Sequence, residues 1–442
     1  MMEKLSFKNR ILIGLTLFSM FFGAGNLIFP PHLGAQAGGN VGPALLGFVL
    51  SAIGIPVLGV AAVALSDGLE NLAQKVHPVF ASAFTVLLYL SIGPFLAIPR
   101  TAGTSYEMAV APFLKNGGHS RLFLCVYSVG FFMIAVFLAL KPDKLTDRLG
   151  KILGPLLLIL IGVVFIGCWL NSGAGEGAVV GDYADHPVSR GFLDGYQTMD
   201  TIAALNFGII IAMNIRKKGV KKERGIVRET IFSGIVAGIL LLAVYSALAW
   251  VGAAAGARFG AAENGARTLS QMMGYLYGSG GTIILGAIFF IACLNTCTGL
   301  LSSCSEYFYS RWPKVSYRSW VLAFAGFSAL AANAGLTTIL KVSVPLLNVI
   351  YPMAIVLILL SFVHRWAGRY PAVYPWAVGL TGISSMIYAL EGTGIHFPAV
   401  SKILAEIPLH SIGLGWLWAA AAGILLGVVF SGKKSHSENT FS

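Results

Sequence analysis

Charge is scarce in this chain of 442 residues. Asp, Glu, Lys and Arg together make up 11% of it, against about a quarter in soluble domains. That shortage excludes an ordinary soluble globular protein. Cysteine is scarce too. Cys125, Cys168, Cys293, Cys297 and Cys304 all fall in apolar segments, which argues against a disulfide framework. Cys293 and Cys297 share a helix face, a spacing that suits packing between helices better than a metal pair. The 8 histidines show no H-x-x-H or H-E-x-x-H spacing, so a haem or zinc enzyme is disfavoured. No loop carries a phosphate-binding glycine motif, and no polar segment is long enough to fold alone.

What is present is apolar sequence, 56% of the chain. Long apolar windows predict twelve membrane spans, at about 11–29, 41–64, 79–98, 121–140, 150–170, 192–214, 230–254, 281–305, 319–333, 337–363, 373–390 and 410–430. The third window is open-ended beyond Pro99. The net charge of +12 follows the membrane and not a nucleic acid. With the N-terminus in the cytoplasm, 22 of the 30 basic residues fall inside and 8 outside, as the positive-inside rule requires. The densest clusters are 141–151 and 216–228, and Arg100 counts among the outside charges. Both ends are therefore expected in the cytoplasm. Ala35-Gln36-Ala37 looks like a signal cleavage site, but the apolar run before it is too long for a signal peptide.

Two spans are interrupted. The first contains FFGAGNLIFP (21–30), with Gly23, Gly25 and Asn26 inside an apolar run. The sixth contains Gln197, Thr198, Asp200, Thr201 and Asn206. Each opens a block of five spans, so the second block is inverted relative to the first. Inverted repeats with broken helices in matching places point to a secondary transporter. Irregular backbone at membrane depth is tolerated where it lines a cavity. Amides at a half-helix start suit a carboxylate, and carbonyls at a half-helix end suit an ammonium group or a cation. A break at Gly23–Asn26 thus offers both poles of an amino acid. The simpler readings are a packing glycine motif at 23–25 and a frayed, solvated helix end at Asp200. In the eighth span Asn295, Thr296 and Thr298 cluster, with Ser302 and Ser303 a turn later. Such oxygens can form part of a Na⁺ shell or serve as interhelical glue.

FFGAGNLIFPP, GPFLAIPRTA (93–102) and ACLNTCTG (292–299) resemble the bacterial branched-chain amino acid transport proteins of the BrnQ type. These are the leucine/isoleucine/valine:cation symporters, and the resemblance covers nearly the whole chain. It implies an all-α membrane protein of LeuT-type fold, a 5+5 inverted repeat with discontinuous helices 1 and 6 plus two C-terminal helices. The implied divisions are 1–170, a connector at 171–191, 192–363, 364–430 and a disordered cytoplasmic tail at 431–442. It implies uptake of leucine, isoleucine and valine across the bacterial inner membrane, coupled to Na⁺, with no covalent chemistry. By the same resemblance the substrate lies against Gly23, Ala24, Gly25 and Asn26. The polar residues Gln197, Thr198, Asp200 and Thr201 complete the expected substrate site. The Na⁺ shell would be the carbonyls of Ser19, Phe22 and Ala292 with Asn295 and Thr296, and a second cation site could use Asn26 and Thr201. The alternatives are a proton-coupled permease for another neutral amino acid and a nutrient receptor of the same fold. Proton-coupled relatives place a lysine in the fifth span, where the nearest candidate here is Lys151.

Overall fold

The computed structural model describes residues 5–114, 121–140, 154–171, 177–394 and 406–431. The whole 141–151 basic cluster with Lys151, the start of the connector and nearly all of the tail lie outside the described residues. The helices in chain order are α1 (Phe7–Phe21), α2 (Ala24–Ala37), α3 (Val41–Val49), α4 (Ile55–Leu65), α5 (Leu69–Gln74), α6 (Pro78–Leu90), α7 (Ala97–Ala109), α8 (Arg121–Ala139) and α9 (Gly154–Asn171). They continue as α10 (Pro187–Tyr196), α11 (Asp200–Lys217), α12 (Glu223–Phe259), α13 (Gly265–Arg311), α14 (Tyr317–Ala332), α15 (Leu336–Phe362), α16 (His364–Ala367), α17 (Val373–Gly392) and α18 (Trp416–Ser431). Among the described residues there is no strand. Among the described residues, seven helical stretches are long and apolar enough to cross a membrane, two of them runs of several helices (Ala24–Leu65 and Pro78–Phe113), and eight count if α10 and α11 form one bent span.

Local chemistry sets the ends. The Ser6 hydroxyl accepts from Asn9 N at 3.4 Å to start α1, and Asn264 accepts from Arg267 N at 2.9 Å to start α13. Such caps satisfy amides that the helix itself leaves open. Gly260, at φ 78°, closes α12 in a conformation that favours glycine.

The chain divides into two compact units, residues 1–64 with 87–344 and residues 65–86 with 345–442. In the first, glycines set the closest helix contacts. A Cβ at Gly252 or Gly256 would run into the backbone of Pro31 or Ala35. α2 therefore lies backbone to backbone on α12. A Cβ at Gly191 would strike Ala44, and one at Gly195 would meet Ser51 and Phe48 O. α10 packs on α3 in the same way. Glycines four residues apart let membrane helices approach this closely.

The third span differs from its expected form. It continues beyond Pro99, as the open window allowed, but kinks at Gly93 (φ −87°, ψ −127°), beside Pro94, before it resumes as α7. Pro94 lacks an amide hydrogen, so the ladder opens there. Arg100 consequently sits inside the span, 3% exposed, and not in an outside loop. A second buried charge is Glu229 on α12. Its side chain is fully buried, and the Arg10 guanidinium donates to both of its oxygens at 2.5 and 2.6 Å.

In the second unit α17 packs on α18 through Gly423 and Gly427, where Cβ atoms would meet Ala377 and Val373. The Ala372 amide donates to Ser431 Oγ at 2.9 Å.

Candidate functional site

Both expected interruptions are real breaks. In the first, α1 ends at Phe21, Gly23 is extended (φ −136°, ψ −159°) and α2 starts at Ala24. The break is narrower than the sequence suggests. Ala24, Gly25 and Asn26 form the first turn of α2. The Asn26 carboxamide explains this, because its Oδ1 accepts from Gly23 N at 3.0 Å and caps the helix it belongs to. By position, the amides of Ala24 and Gly25 have no acceptor within the helix.

In the second, α10 and α11 meet at 47°. Gln197, Thr198 and Met199 form the joint, and Met199 is left-handed (φ 67°). A non-glycine residue in that region is uncommon and marks a constrained turn. Thr198 Oγ1 donates to Gly195 O at 2.8 Å and accepts from Asp200 N at 3.4 Å. Asp200 is the first residue of α11 and is 2% exposed. The solvated-end reading is therefore excluded by its burial. Its carboxylate sits at a helix start, where the dipole favours a negative charge.

One hydrogen-bonded cluster links the two breaks. Asn26 Nδ2 donates to Asp200 Oδ2 at 2.7 Å. Tyr245, fully buried on α12, donates to the same oxygen at 2.8 Å and also touches Asn26 Nδ2.

The eighth-span residues meet the end of α1. Asn295 Nδ2 donates to Ser19 O at 2.9 Å, and Thr296 Oγ1 donates to Phe22 O at 3.2 Å. Asn295 Oδ1 is buried without a hydrogen-bond partner. Ala292 is fully buried a turn before Thr296, where its carbonyl belongs to the helix ladder. A Cβ on Gly23 would lie 2.5 Å from Thr296 Oγ1, so only glycine lets α13 approach the break this closely.

A small cavity of about 30 Å³ lies between the breaks, below the usual size of small-ligand sites. Gly23 to Asn26, Thr198, Asp200 and Thr296 line it. Phe21, Ile92, Ala203, Phe207 and Leu300 supply an apolar wall. Thr201 is not on the wall, although its hydroxyl is buried without a hydrogen-bond partner. Gln197 contributes through its backbone, because Arg100 Nη1 donates to Gln197 O at 2.8 Å. Its side-chain Oε1 is buried without a hydrogen-bond partner.

Two residues of the site escape the sequence reading. Arg100 lines the cavity, with its guanidinium carbon 5.7 Å from the Phe29 ring centroid. Its signal was the Gly93-Pro94 pair, which marks a third interrupted span. Tyr245 carries no comparable signal, because a tyrosine in an apolar window looks like any other aromatic residue.

The helices define a multi-pass, all-helical membrane protein. Residues 6–434 match the family model of the branched-chain amino acid transport protein. The branched-chain amino acid permease BraB of Bacillus subtilis (strain 168) is 41% identical over 433 residues, 98% of this chain and 97% of that one. The branched-chain amino acid transport system 2 carrier protein of Pseudomonas aeruginosa is 39% identical over 419 residues, 94% of each. The chain belongs to the branched-chain amino acid transport protein family. It is a transporter and not an enzyme. Among solved structures, Mhp1, a nucleobase-cation-symport-1 family transporter in a closed conformation, superposes with a TM-score of 0.62 at 12% identity, covering 95% of this chain and 91% of the other. A Na⁺-coupled sialic acid symporter in an outward-open state gives 0.61 at 15% identity, with 97% and 91% covered. At these identities the likeness is one of fold.

Proposed function

We propose that the protein imports leucine, isoleucine and valine by Na⁺-coupled alternating access across the bacterial inner membrane, with both termini in the cytoplasm. The observation that carries this reading is the meeting of Asn295 and Thr296 with the last carbonyls of α1, at the edge of the cavity. Ser19 O, Phe22 O and Thr296 Oγ1 are hard oxygen donors of the kind Na⁺ takes. Turning the Asn295 carboxamide over would add its unpartnered Oδ1 to that group. The residues fit the ion, and an ion there would tie α1 to α13 and fix the turn that faces the substrate. Na⁺ and substrate then favour each other by a reciprocal coupling, typically about 1–3 kcal/mol.

The apolar wall would hold the aliphatic side chain. Such pockets separate ligands differing by one methylene by only about 1–3 kcal/mol, so all three amino acids are accepted. Twelve spans and an inverted repeat complete the proposal. Reciprocal packing supports the repeat: α2 of the first broken span lies on α12, the seventh, and α10 of the sixth lies on α3, in the second.

Leucine uptake into proteoliposomes tests the reading. An inward Na⁺ gradient should drive accumulation, and a pH gradient alone should not. The second reading is a proton-coupled permease, which the buried Asp200 carboxylate favours. Accumulation driven by a pH gradient without Na⁺ would replace the first reading by this one.

A further inference from the structure

The cavity wall carries two oppositely charged side chains, Arg100 and Asp200. They reach it from different elements and are held by different neighbours. Asp200 is fixed by Asn26 and Tyr245. Arg100 is fixed by the carbonyl of Gln197 and lies against the ring of Phe29. A guanidinium stays charged in proteins, and a charge within a membrane span is costly unless it faces a cavity or a partner.

The placement of Arg100 is specific. A Cβ built on Gly25 would lie 2.9 Å from its Nη2. The guanidinium therefore stands over the first turn of α2, where the Ala24 and Gly25 amides are open by position. The fork of Arg100 and the positive end of the α2 dipole converge on one region of space. Both favour an anion, and a planar carboxylate matches the fork.

We infer that Arg100 binds the α-carboxylate of the transported amino acid, together with the first-turn amides of α2, while Asp200 faces the ammonium group. This rests on the transport reading above and deepens it. The cavity then recognises a zwitterion by one full charge at each pole. Arg100 is anchored to the Gln197 carbonyl in one break and to Phe29 of α2 beyond the other. A carboxylate on Arg100 would thus bear on both broken spans.

Binding of three ligands to the full-length protein at saturating Na⁺ tests this. They are leucine, leucinamide, which lacks the carboxylate, and 4-methyl-2-oxopentanoate, which lacks the ammonium group. The unmodified protein should prefer leucine over leucinamide by at least about tenfold, the effect of a charge-assisted hydrogen bond. Arg100→Gln should lower leucine affinity by about tenfold to a hundredfold and leave leucinamide nearly unchanged. It should weaken 4-methyl-2-oxopentanoate, which retains the carboxylate, in step with leucine. A purely structural arginine predicts that leucine and leucinamide fall together with their ratio intact, and that result overturns the inference. Where Arg100→Gln does not fold, Arg100→Lys decides. It keeps the charge without the fork, so the ratio should shrink but stay above one, and an unchanged ratio overturns the inference. Equal affinity of the unmodified protein for leucine and leucinamide overturns it with no variant at all. If the unmodified protein binds none of the branched-chain amino acids, the transport reading fails first and takes the inference with it.

Discussion

Asn26 and Asp200 stand 174 residues apart in sequence and are joined by a 2.7 Å hydrogen bond. Each belongs to the first turn of the second half of a broken span. The carboxamide of Asn26 has both ends in use, since its oxygen caps α2 and its nitrogen reaches across to α11. The two breaks are therefore one hydrogen-bonded site.

Asp200→Asn should weaken leucine binding by about tenfold to a hundredfold while Na⁺ dependence survives, because it removes the charged partner of several hydrogen bonds. Tyr245→Phe removes one of those donors and should cost less, about threefold to tenfold. Equilibrium binding of labelled leucine measures both. Affinity equal to that of the unmodified protein in Asp200→Asn would remove the carboxylate from the site.

Gly25→Val should abolish leucine binding with insertion into the membrane retained. The obstacle is space. A Cβ there would stand 2.9 Å from Arg100 Nη2 and 3.1 Å from Thr198 Cα, and the branch of valine would extend further. Binding after verified membrane insertion is the measurement, and normal affinity would place the substrate elsewhere.

Thr296→Val keeps the shape of the side chain and removes the oxygen that meets Phe22 O at 3.2 Å. The Na⁺ concentration giving half-maximal leucine binding should rise about tenfold, the loss of one polar contact to a cation. Leucine affinity at saturating Na⁺ should hardly change. A Na⁺ titration of leucine binding separates the two effects, and an unshifted midpoint would move the ion site away from α13.

Glu229→Gln should loosen the start of α1. The buried carboxylate of Glu229 takes both arms of the Arg10 guanidinium, and Arg228 approaches it at 3.4 Å. Removing its charge leaves the cations without their counter-ion. Spin labels on Phe7 and on α12 should report a wider and broader distance distribution in the variant. The same distribution in both proteins would rule out this pair as the fastener of α1.

Much of this site was legible because polar groups stand out against apolar sequence. Gly23, Asn26, Asp200, Asn295 and Thr296 each interrupt a window that would otherwise read as lipid-facing, and the structure puts four of them on one cavity and Asn295 against Ser19 O. The extent of the first break was not legible. Gly25 and Asn26 looked unwound by composition, yet Asn26 caps the turn that contains it. Arg100 was misplaced for a different reason. A hydropathy window closes at its first full charge, whereas the chain carries this charge inward to the Gln197 carbonyl. The pairing of Glu229 was not legible either, because its counter-ion on α1 lies 219 residues away. Pairings over such distances leave no local pattern.

The two halves of the first broken span are fastened to α12 by contacts of different kinds. α2 meets Gly252 and Gly256 through backbone atoms, with no side chain between them to rearrange. Those surfaces behave as a weld, and the two pieces can travel only as one body. α1 has softer ties to the same helix. At Gly14 the nearest atoms are Cγ1 and Cβ of Val236, with the Ser233 carbonyl farther off, and at its start the tie is the ion pair of Arg10 with Glu229. A valine side chain and an ion pair hold α1, whereas main-chain atoms hold α2. The extended residue Gly23 sits between the two. α1 is thus the more loosely seated half, and α2 is the half set main chain to main chain on α12.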